Sequence, residues 1–227
     1  MEKKGTITII IPAFNEGKTI GDILKRCKPY ADELLVVLAK RSSDNTADIA
    51  KKYGARIIID NGKGKGDGMK LAAKEASGDI LIFIDADGSH IPEDIPQIVA
   101  PLKENKADIV LTSRMRGGSE ELHGTFPKFI RMVLSDIITL IINYRFGVKI
   151  TDSQNGFRGV KKDIFNSLNL KSNHTEIETE MIMKAAKKRY KIYEVPSREL
   201  ERKGGESKLS VTKHGWRYLK VVLSNLI

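Results

Sequence analysis

Three clusters of residues in this chain have the types and spacing to do chemistry. The first closes the stretch Ile82-Phe83-Ile84-Asp85-Ala86-Asp87-Gly88-Ser89-His90 with two carboxylates one residue apart. Alternate side chains of an extended segment project to one side, so Asp85 and Asp87 can face one hard cation, Mg²⁺ or Mn²⁺, that holds phosphate oxygens. The alternative for a bare acid pair is a solvated turn. An EF-hand is excluded: counted from Asp85, the glycine position is His90 and the closing acid position is Pro96. The second cluster is Arg131 and Ser135, one turn apart on a strongly apolar helical pattern. An arginine there is either a snorkelling surface residue or one that meets a buried anion. The third is the basic loop Asp60-Asn61-Gly62-Lys63-Gly64-Lys65-Gly66. It fails as a dinucleotide fingerprint, because the third glycine position is Asp67 or Met69. It also fails as a P-loop, because Gly66 stands where Ser or Thr is required. A nucleotide contact and a simple turn both remain open for it.

The elements that must position these clusters alternate between strand and helix. Apolar runs at Thr6–Ile11, Glu33–Leu38, Arg56–Ile59, Ile80–Ile84 and Asp108–Ser113 read as buried strands. Helical patterns fall between them, over 17–27, Ala47–Tyr53, Asp67–Ala76 and Glu93–Glu104. Short connections between alternating elements predict an α/β fold, with a mainly parallel sheet flanked by helices. Ligands of such sheets bind beyond the carboxyl ends of the strands, where Asp85 lies. Beyond Ser113 the pattern changes. A long helix is expected over Lys128–Phe146, a connecting segment over Thr151–Gly159, and helices near Lys161–Leu168 and Glu176–Arg189. A strand at Lys191–Val195 and a basic loop at Arg198–Leu209 lead to a last helix, His214–Ile227. Trp216, Leu219, Leu223 and Leu226 stripe that helix, which therefore packs on the body or lies on a membrane or a partner.

Composition limits the function classes. The 227 residues, 41% hydrophobic with a mean hydropathy of −0.28, describe a globular chain with one substantial core. Cys27 is the single cysteine, so no internal disulfide forms; its helical spacing from Ile20, Ile23 and Leu24 marks it as a core residue. A strand so near the start leaves no room for a signal peptide, and no apolar run approaches the ~20 residues of a spanning helix. The net charge of +10 is one-sided: residues 1–113 hold 17 basic and 17 acidic side chains, residues 114–227 hold 22 and 12. The second half is therefore suited to an anionic partner. Aromatics at 6%, with no recognised module, argue against nucleic acid.

In order along the chain, these segments resemble the family 2 glycosyltransferases of the GT-A fold, and within them the polyprenyl (dolichyl) phosphate sugar synthases. Pro12-Ala13-Phe14-Asn15-Glu16 is similar to the family's donor-site turn, followed by Ser42-Ser43-Asp44-Asn45-Thr46, Gly64-Lys65-Gly66 and Asp85-Ala86-Asp87-Gly88-Ser89-His90. Thr112-Ser113-Arg114 resembles the segment that brings an arginine to the acceptor, and Arg131 with Ser135 the pair that grips a lipid phosphate. Asp152-Ser153-Gln154-Asn155-Gly156-Phe157-Arg158 is close to D-x-x-[ST]-G-F-R, with Asn155 in place of Ser or Thr. Glu194-Val195-Pro196, and Arg202 with Gly205-Glu206-Ser207-Lys208-Leu209, resemble the late strand and basic flap. One departure stands out. The family ends its second strand in an acidic pair that helps hold the nucleoside, whereas Val37-Leu38-Ala39-Lys40-Arg41 has no acid before Asp44. The resemblance therefore fixes neither base nor sugar.

The resemblance implies a single GT-A catalytic domain over residues 1–227, with a donor half to 113 and an acceptor half from 114. It implies an inverting, metal-dependent transfer of a hexose or N-acetylhexosamine from a GDP- or UDP-linked donor to a polyprenyl monophosphate. The protein would be cytoplasmic, peripheral at the cytoplasmic face of a membrane, and compatible with a membrane-anchoring partner or a homo-oligomer. Asp85, Asp87 and Ser89 would hold Mg²⁺ or Mn²⁺. Pro12, Ala13, Asn15, Glu16, Asp44, Lys65, Asp85, Ala86, Arg202 and Lys208 would bind the donor, and Asp87, Arg114, Arg131 and Ser135 would serve the transfer. The competing enzyme readings are a family 2 transferase with a soluble sugar or protein acceptor, and a sugar nucleotidyltransferase. The latter normally has a glycine- and arginine-rich loop after the first strand, which PAFNEGKT is not.

Overall fold

The computed structural model describes residues 5–121, 125–204 and 211–226. Seven strands form one sheet in the order β3-β2-β1-β4-β6-β5-β7. β1 (Ile7–Ala13) pairs in parallel with β2 (Glu33–Leu38) on one side and β4 (Ile80–Phe83) on the other, and β3 (Arg56–Ile59) extends the sheet beyond β2. β5 (Ile109–Ser113) and β7 (Ile192–Pro196) are parallel to each other. Alternate residues of β1 explain its unbroken apolar run: Ile9 and Ile11 enter the core on one face of the sheet and Ile10 the core on the other.

β6 (Arg158–Lys161) is a strand where the sequence pattern suggests a connection running into a helix. It lies antiparallel between β4 and β5, and α7 begins only at Lys162. No apolar run announces it, because it opens with Arg158 and Gly159. Arg158 is nevertheless fully buried: its guanidinium donates to the carbonyls of Asn155, Glu178 and Ser153. A Cβ on Gly159 would come within 2.6 Å of Ile98, so the strand passes under α4 (Ile95–Lys103) only with glycine there.

α1 (Ile20–Cys27), α2 (Thr46–Lys52) and α4 cover one face of the sheet. α3 (Lys65–Glu75), α6 (Phe126–Phe146), α7 (Lys162–Ser167), α8 (Ile177–Lys187) and α9 (Val211–Leu226) lie on the other. The four-residue α5 (Arg114–Gly117) turns the chain at the end of β5. α6 starts at Thr125, whose hydroxyl accepts from the Lys128 amide, with Pro127 in the first turn. It buries only a narrow strip, Ser135, Thr139 and Ile142, and exposes Phe126, Phe129, Ile137, Leu140 and Tyr144. α9 packs through Val221 and Val222, with Leu226 half-buried, while Trp216, Leu219 and Leu223 are each more than half exposed. The stripe on the last helix thus faces away from the body rather than onto it. Among the described residues no helix is long and apolar enough to cross a membrane.

Candidate active site

β2 and β3 lie on one side of β1, and β4 lies on the other, so the strand order reverses between β1 and β4. This is the switch point at which open α/β sheets bind ligands. A cleft of about 390 Å³ opens there, lined by Pro12 and Ala13 at the end of β1 and Glu16 beyond it, Val37 and Ala39 at the end of β2, Asp60 after β3, and Asp85, Ala86 and Asp87 after β4. The basic loop also lines it through Gly62, Lys63, Gly64 and Lys65. The loop therefore forms one wall of the cleft. Its glycines are required, since a Cβ on Gly66 would meet the His174 carbonyl at 2.7 Å, and Gly64 adopts φ +122°.

The two acids are held differently. Asp85 Oδ1 lies 2.6 Å from Lys65 Nζ, which also reaches Glu178 at 2.9 Å, and Asp85 Oδ2 lies 3.6 Å from His90 Nε2. Burial alone would raise Asp85, but the Lys65 ammonium overrides it and holds the carboxyl far below its ordinary range. Burial likewise opposes the charge on Lys65, and Asp85 with Glu178 holds it well above the ordinary lysine value. Asp87 Oδ2 pairs with Arg202 at 3.1 Å, while its Oδ1 accepts from the Ser89 amide at 3.0 Å and hydroxyl at 2.7 Å. The Asp87 carbonyl accepts from the amides of Lys203 and Gly204, tying the start of the basic flap to the acid turn. Among the described residues no group of three His, Cys, Asp or Glu forms a closed metal cage. Two adjacent hard carboxylates, one held ionised, nevertheless match Mg²⁺ or Mn²⁺, which takes one or two carboxylates and completes its shell with phosphate and water. Ser89 supports that pair by orienting Asp87.

A second cavity, about 80 Å³, adjoins the acids on the other side of Lys65 and Asp85. Arg114, Arg131, Ser135, Glu199 and Arg202 line it, with Asn155 and Gly156 from the motif before β6. Arg114 is clamped by Asp152 through Nε at 2.6 Å and Nη2 at 3.0 Å, and its Nη1 lies 3.6 Å from Glu199. Asp152 Oδ1 also accepts from the amides of Gln154 and Asn155, which shapes the loop under the cavity. Arg131 is half-buried, and burial followed by the charges of Arg114 and Arg202 lowers its pKa despite Glu199 and Glu121. Three guanidiniums about one small polar cavity make a seat for an anion. Each carboxylate lining it already faces a cation: Asp85 and Glu178 face Lys65, and Glu199 faces Arg114.

The sequence-predicted residues thus separate. Pro12, Ala13, Glu16, Lys65, Asp85, Ala86 and Asp87 meet in the first cleft, and Arg114, Arg131, Ser135 and Arg202 meet in the second cavity. Asn15 and Asp44 line neither. Asn15 Oδ1 accepts from Ser42 and Ser43, and Asp44 accepts from the Gly17 and Thr46 amides, so both staple the two loops behind the cleft. Lys208 lies outside the described residues. Sequence reasoning quoted Asp60, His90 and Asp152 within their motifs without a site role, and passed over Glu178 and Glu199. The signal for Glu178 was available in Glu176-Ile177-Glu178-Thr179-Glu180, a run of acids at the start of a helix that continues through the buried Met181, Ile182 and Met183.

A sheet of this order, with an acid pair at its switch point, is the α/β architecture of the GT-A fold. Glucosyl-3-phosphoglycerate synthase from Mycobacterium tuberculosis, solved with Mn²⁺, UDP and glucosyl-3-phosphoglycerate, shares the fold at a TM-score of 0.77 and 21% identity, over 98% of this chain and 80% of that one. The chain belongs to glycosyl transferase family 2, whose pattern matches residues 8–168, and it is an enzyme of that class, a glycosyltransferase. It is 30% identical to a low-salt glycan biosynthesis hexosyltransferase of Haloferax volcanii over 97% of its own length, and spans about half (54%) of that relative. It is 28% identical to the UDP-N-acetylglucosamine–dolichyl-phosphate N-acetylglucosaminyltransferase of Methanococcus voltae, over 84% of each chain.

Proposed function

We propose that this protein transfers a hexose or N-acetylhexosamine, with inversion, from a nucleoside-diphosphate sugar to a polyprenyl monophosphate while docked on the cytoplasmic face of a membrane. The observation that carries the reading is α6: it turns Arg131 and Ser135 toward the cavity beside the donor acids and a stripe of Phe126, Phe129, Leu140 and Tyr144 outward. One helix thereby offers a phosphate seat and an apolar surface for a lipid. The relative in Methanococcus voltae, named for a dolichyl-phosphate acceptor, supports the same class of substrate.

On this reading the donor diphosphate lies in the first cleft, against Lys65 and Arg202. A divalent ion held by Asp85 and Asp87 would neutralise the charge that develops on the leaving diphosphate. Arg202, which lines the second cavity and reaches Asp87 of the first cleft at 3.1 Å, can then exchange that contact for one with the diphosphate. The acceptor phosphate enters the second cavity, where Arg131 and the Ser135 hydroxyl orient it by charge-assisted hydrogen bonds. Arg114, saturated by Asp152, acts as a fixed positive wall. The phosphate has its second pKa near ~6 and is largely dianionic at neutral pH, so it attacks without a protein base. That agrees with a cavity whose carboxylates are each engaged by a cation.

The test is Arg131→Ala and Ser135→Ala, assayed for sugar transfer to a short polyprenyl phosphate and, separately, for nucleotide binding. Transfer should fall by roughly tenfold or more with nucleotide binding retained, the loss expected for a charge-assisted contact. Wild-type transfer by Arg131→Ala would overturn the assignment.

A further inference from the structure

The end of β2 has no acid, yet the far end of the donor cleft does contain one. Asp60 follows β3 and lines the cleft. Its Oδ1 accepts from the backbone amides of Lys40 and Gly62, both at 2.8 Å, so the carboxylate is fixed by two loops. Among the described residues Oδ2 has no partner. Asp60 is separated from Asp85 by the width of the sheet from β3 to β4, three strand spacings or about 14 Å. That matches the reach of a nucleoside diphosphate whose phosphates lie at Asp85 and Asp87 and whose base lies at β3. Phe14, with the Arg41 guanidinium 4.8 Å over its ring, lines the cleft along the same span.

We infer that Asp60 reads the nucleobase of the donor: its Oδ2 accepts the ring N–H of a lactam base, uracil N3–H or guanine N1–H. The inference rests on the proposed nucleotide-sugar donor and deepens it by assigning the residue that selects the base. A fixed carboxylate presents only acceptor lone pairs. It favours uracil and guanine, and it repels the bare ring nitrogens that cytosine and adenine present at the corresponding edge. The acid absent from the end of β2 is thus replaced from the neighbouring strand, and the two amides on Oδ1 leave the other oxygen for the ligand.

The experiment is calorimetric binding of UDP, GDP, CDP and ADP, each with Mg²⁺, to the wild-type chain and to Asp60→Asn. Asparagine keeps an oxygen for the Lys40 and Gly62 amides but replaces Oδ2 with an NH₂ donor. The wild type should bind UDP or GDP roughly 10- to 100-fold more tightly than CDP and ADP, the span of a hydrogen bond to a charged group. Asp60→Asn should close that gap and improve CDP relative to UDP, because the new NH₂ can donate to cytosine N3. A role confined to the loop would weaken all four ligands together and leave their order unchanged, and that result overturns the inference. A ligand-side control leaves the protein untouched: 3-methyluridine or 1-methylguanosine diphosphate, lacking the ring N–H, should lose the same factor against wild type. Equal binding of methylated and unmethylated nucleotides would also overturn it. If no nucleoside diphosphate binds at all, the donor reading itself fails, and this inference falls with it.

Discussion

Substituting Asp152 by asparagine removes one negative charge from a carboxylate whose side chain is 1% exposed and leaves the Arg114 guanidinium, itself 12% exposed, without its bidentate partner. Breaking one side of a buried pair costs about 3–5 kcal/mol, because the remaining charge stays desolvated. Here the cost belongs at the lower end. Asparagine retains an oxygen for the Gln154 and Asn155 amides, and Glu199 at 3.6 Å gives Arg114 a second, weaker counterion. We therefore expect Asp152→Asn to lose about 3 kcal/mol, which at ~2–3 kcal/mol/M lowers the urea midpoint by about 1–1.5 M. Adding Arg114→Met should recover part of that loss, since the unpaired guanidinium is then gone and Glu199, which loses its ion pair, keeps its contact with the Ser119 hydroxyl. The assay is urea unfolding followed by circular dichroism for both single variants and the double variant. A loss below about 1 kcal/mol for Asp152→Asn, or strictly additive losses in the double variant, would refute the reasoning that the pair is a closed, desolvated unit.

Asp87→Asn keeps the Ser89 contacts to Oδ1 but loses a charge at the donor and the ionic partner of Arg202, so metal-dependent UDP or GDP binding should weaken by roughly tenfold or more in a folded variant of lowered thermal stability; unchanged binding would remove Asp87 from the donor site. Burial would raise Glu33, but bonds from Ser77, Thr8 and Arg56 outweigh it and pull the carboxyl from 4.5 to about 2. The unfolded chain therefore takes up this proton first, and stability contributed by Glu33 above pH 4.5 is lost as pH falls from there towards 2. Glu33→Gln should flatten the acid limb of stability against pH in that window, and an unaltered limb would contradict the shift. Replacing Trp216, Leu219 and Leu223 together by serine should abolish flotation with anionic vesicles at low salt while leaving the circular dichroism spectrum intact; full binding by this variant would exclude α9 from the docking face.

The parallel part of the fold was legible because its strands are buried on both faces, so Ile7–Ala13, Glu33–Leu38 and Ile80–Phe83 appear as plain apolar runs. Cys27 was legible as a core residue for the equivalent helical reason and is fully buried. β6 was not, because its burial depends on Arg158 meeting three carbonyls and Gly159 clearing Ile98, which only the tertiary arrangement reveals. The acid pair, Lys65 and Arg131 with Ser135, which line the two cavities, were singled out by spacing and resemblance. Asn15 and Asp44 lie in turns of the same resemblance but bind neighbouring loops, since hydrogen-bonding side chains in a turn serve the turn as readily as a ligand. The counterions of Lys65 and Arg114, namely Glu178, Asp152 and Glu199, come from segments far along the chain. Each counters a cation whose partner the sequence left open. The outward stripe of α9 shows the limit of periodicity: it identifies an amphipathic face but not which of two faces meets the core.

The central claim is that the acceptor nucleophile is a phosphate rather than a hydroxyl. The direct measurement is sugar transfer from UDP- and GDP-linked donors to a short polyprenyl monophosphate and, in parallel, to the corresponding free polyprenol, with Mg²⁺ and with EDTA, across pH 5 to 8. The account predicts product from the monophosphate alone, dependent on the divalent ion, at a rate that falls as pH drops through the acceptor's own pKa near ~6. Transfer to the free alcohol, or a pH profile that moves with substitution of a protein carboxylate or histidine, would contradict it.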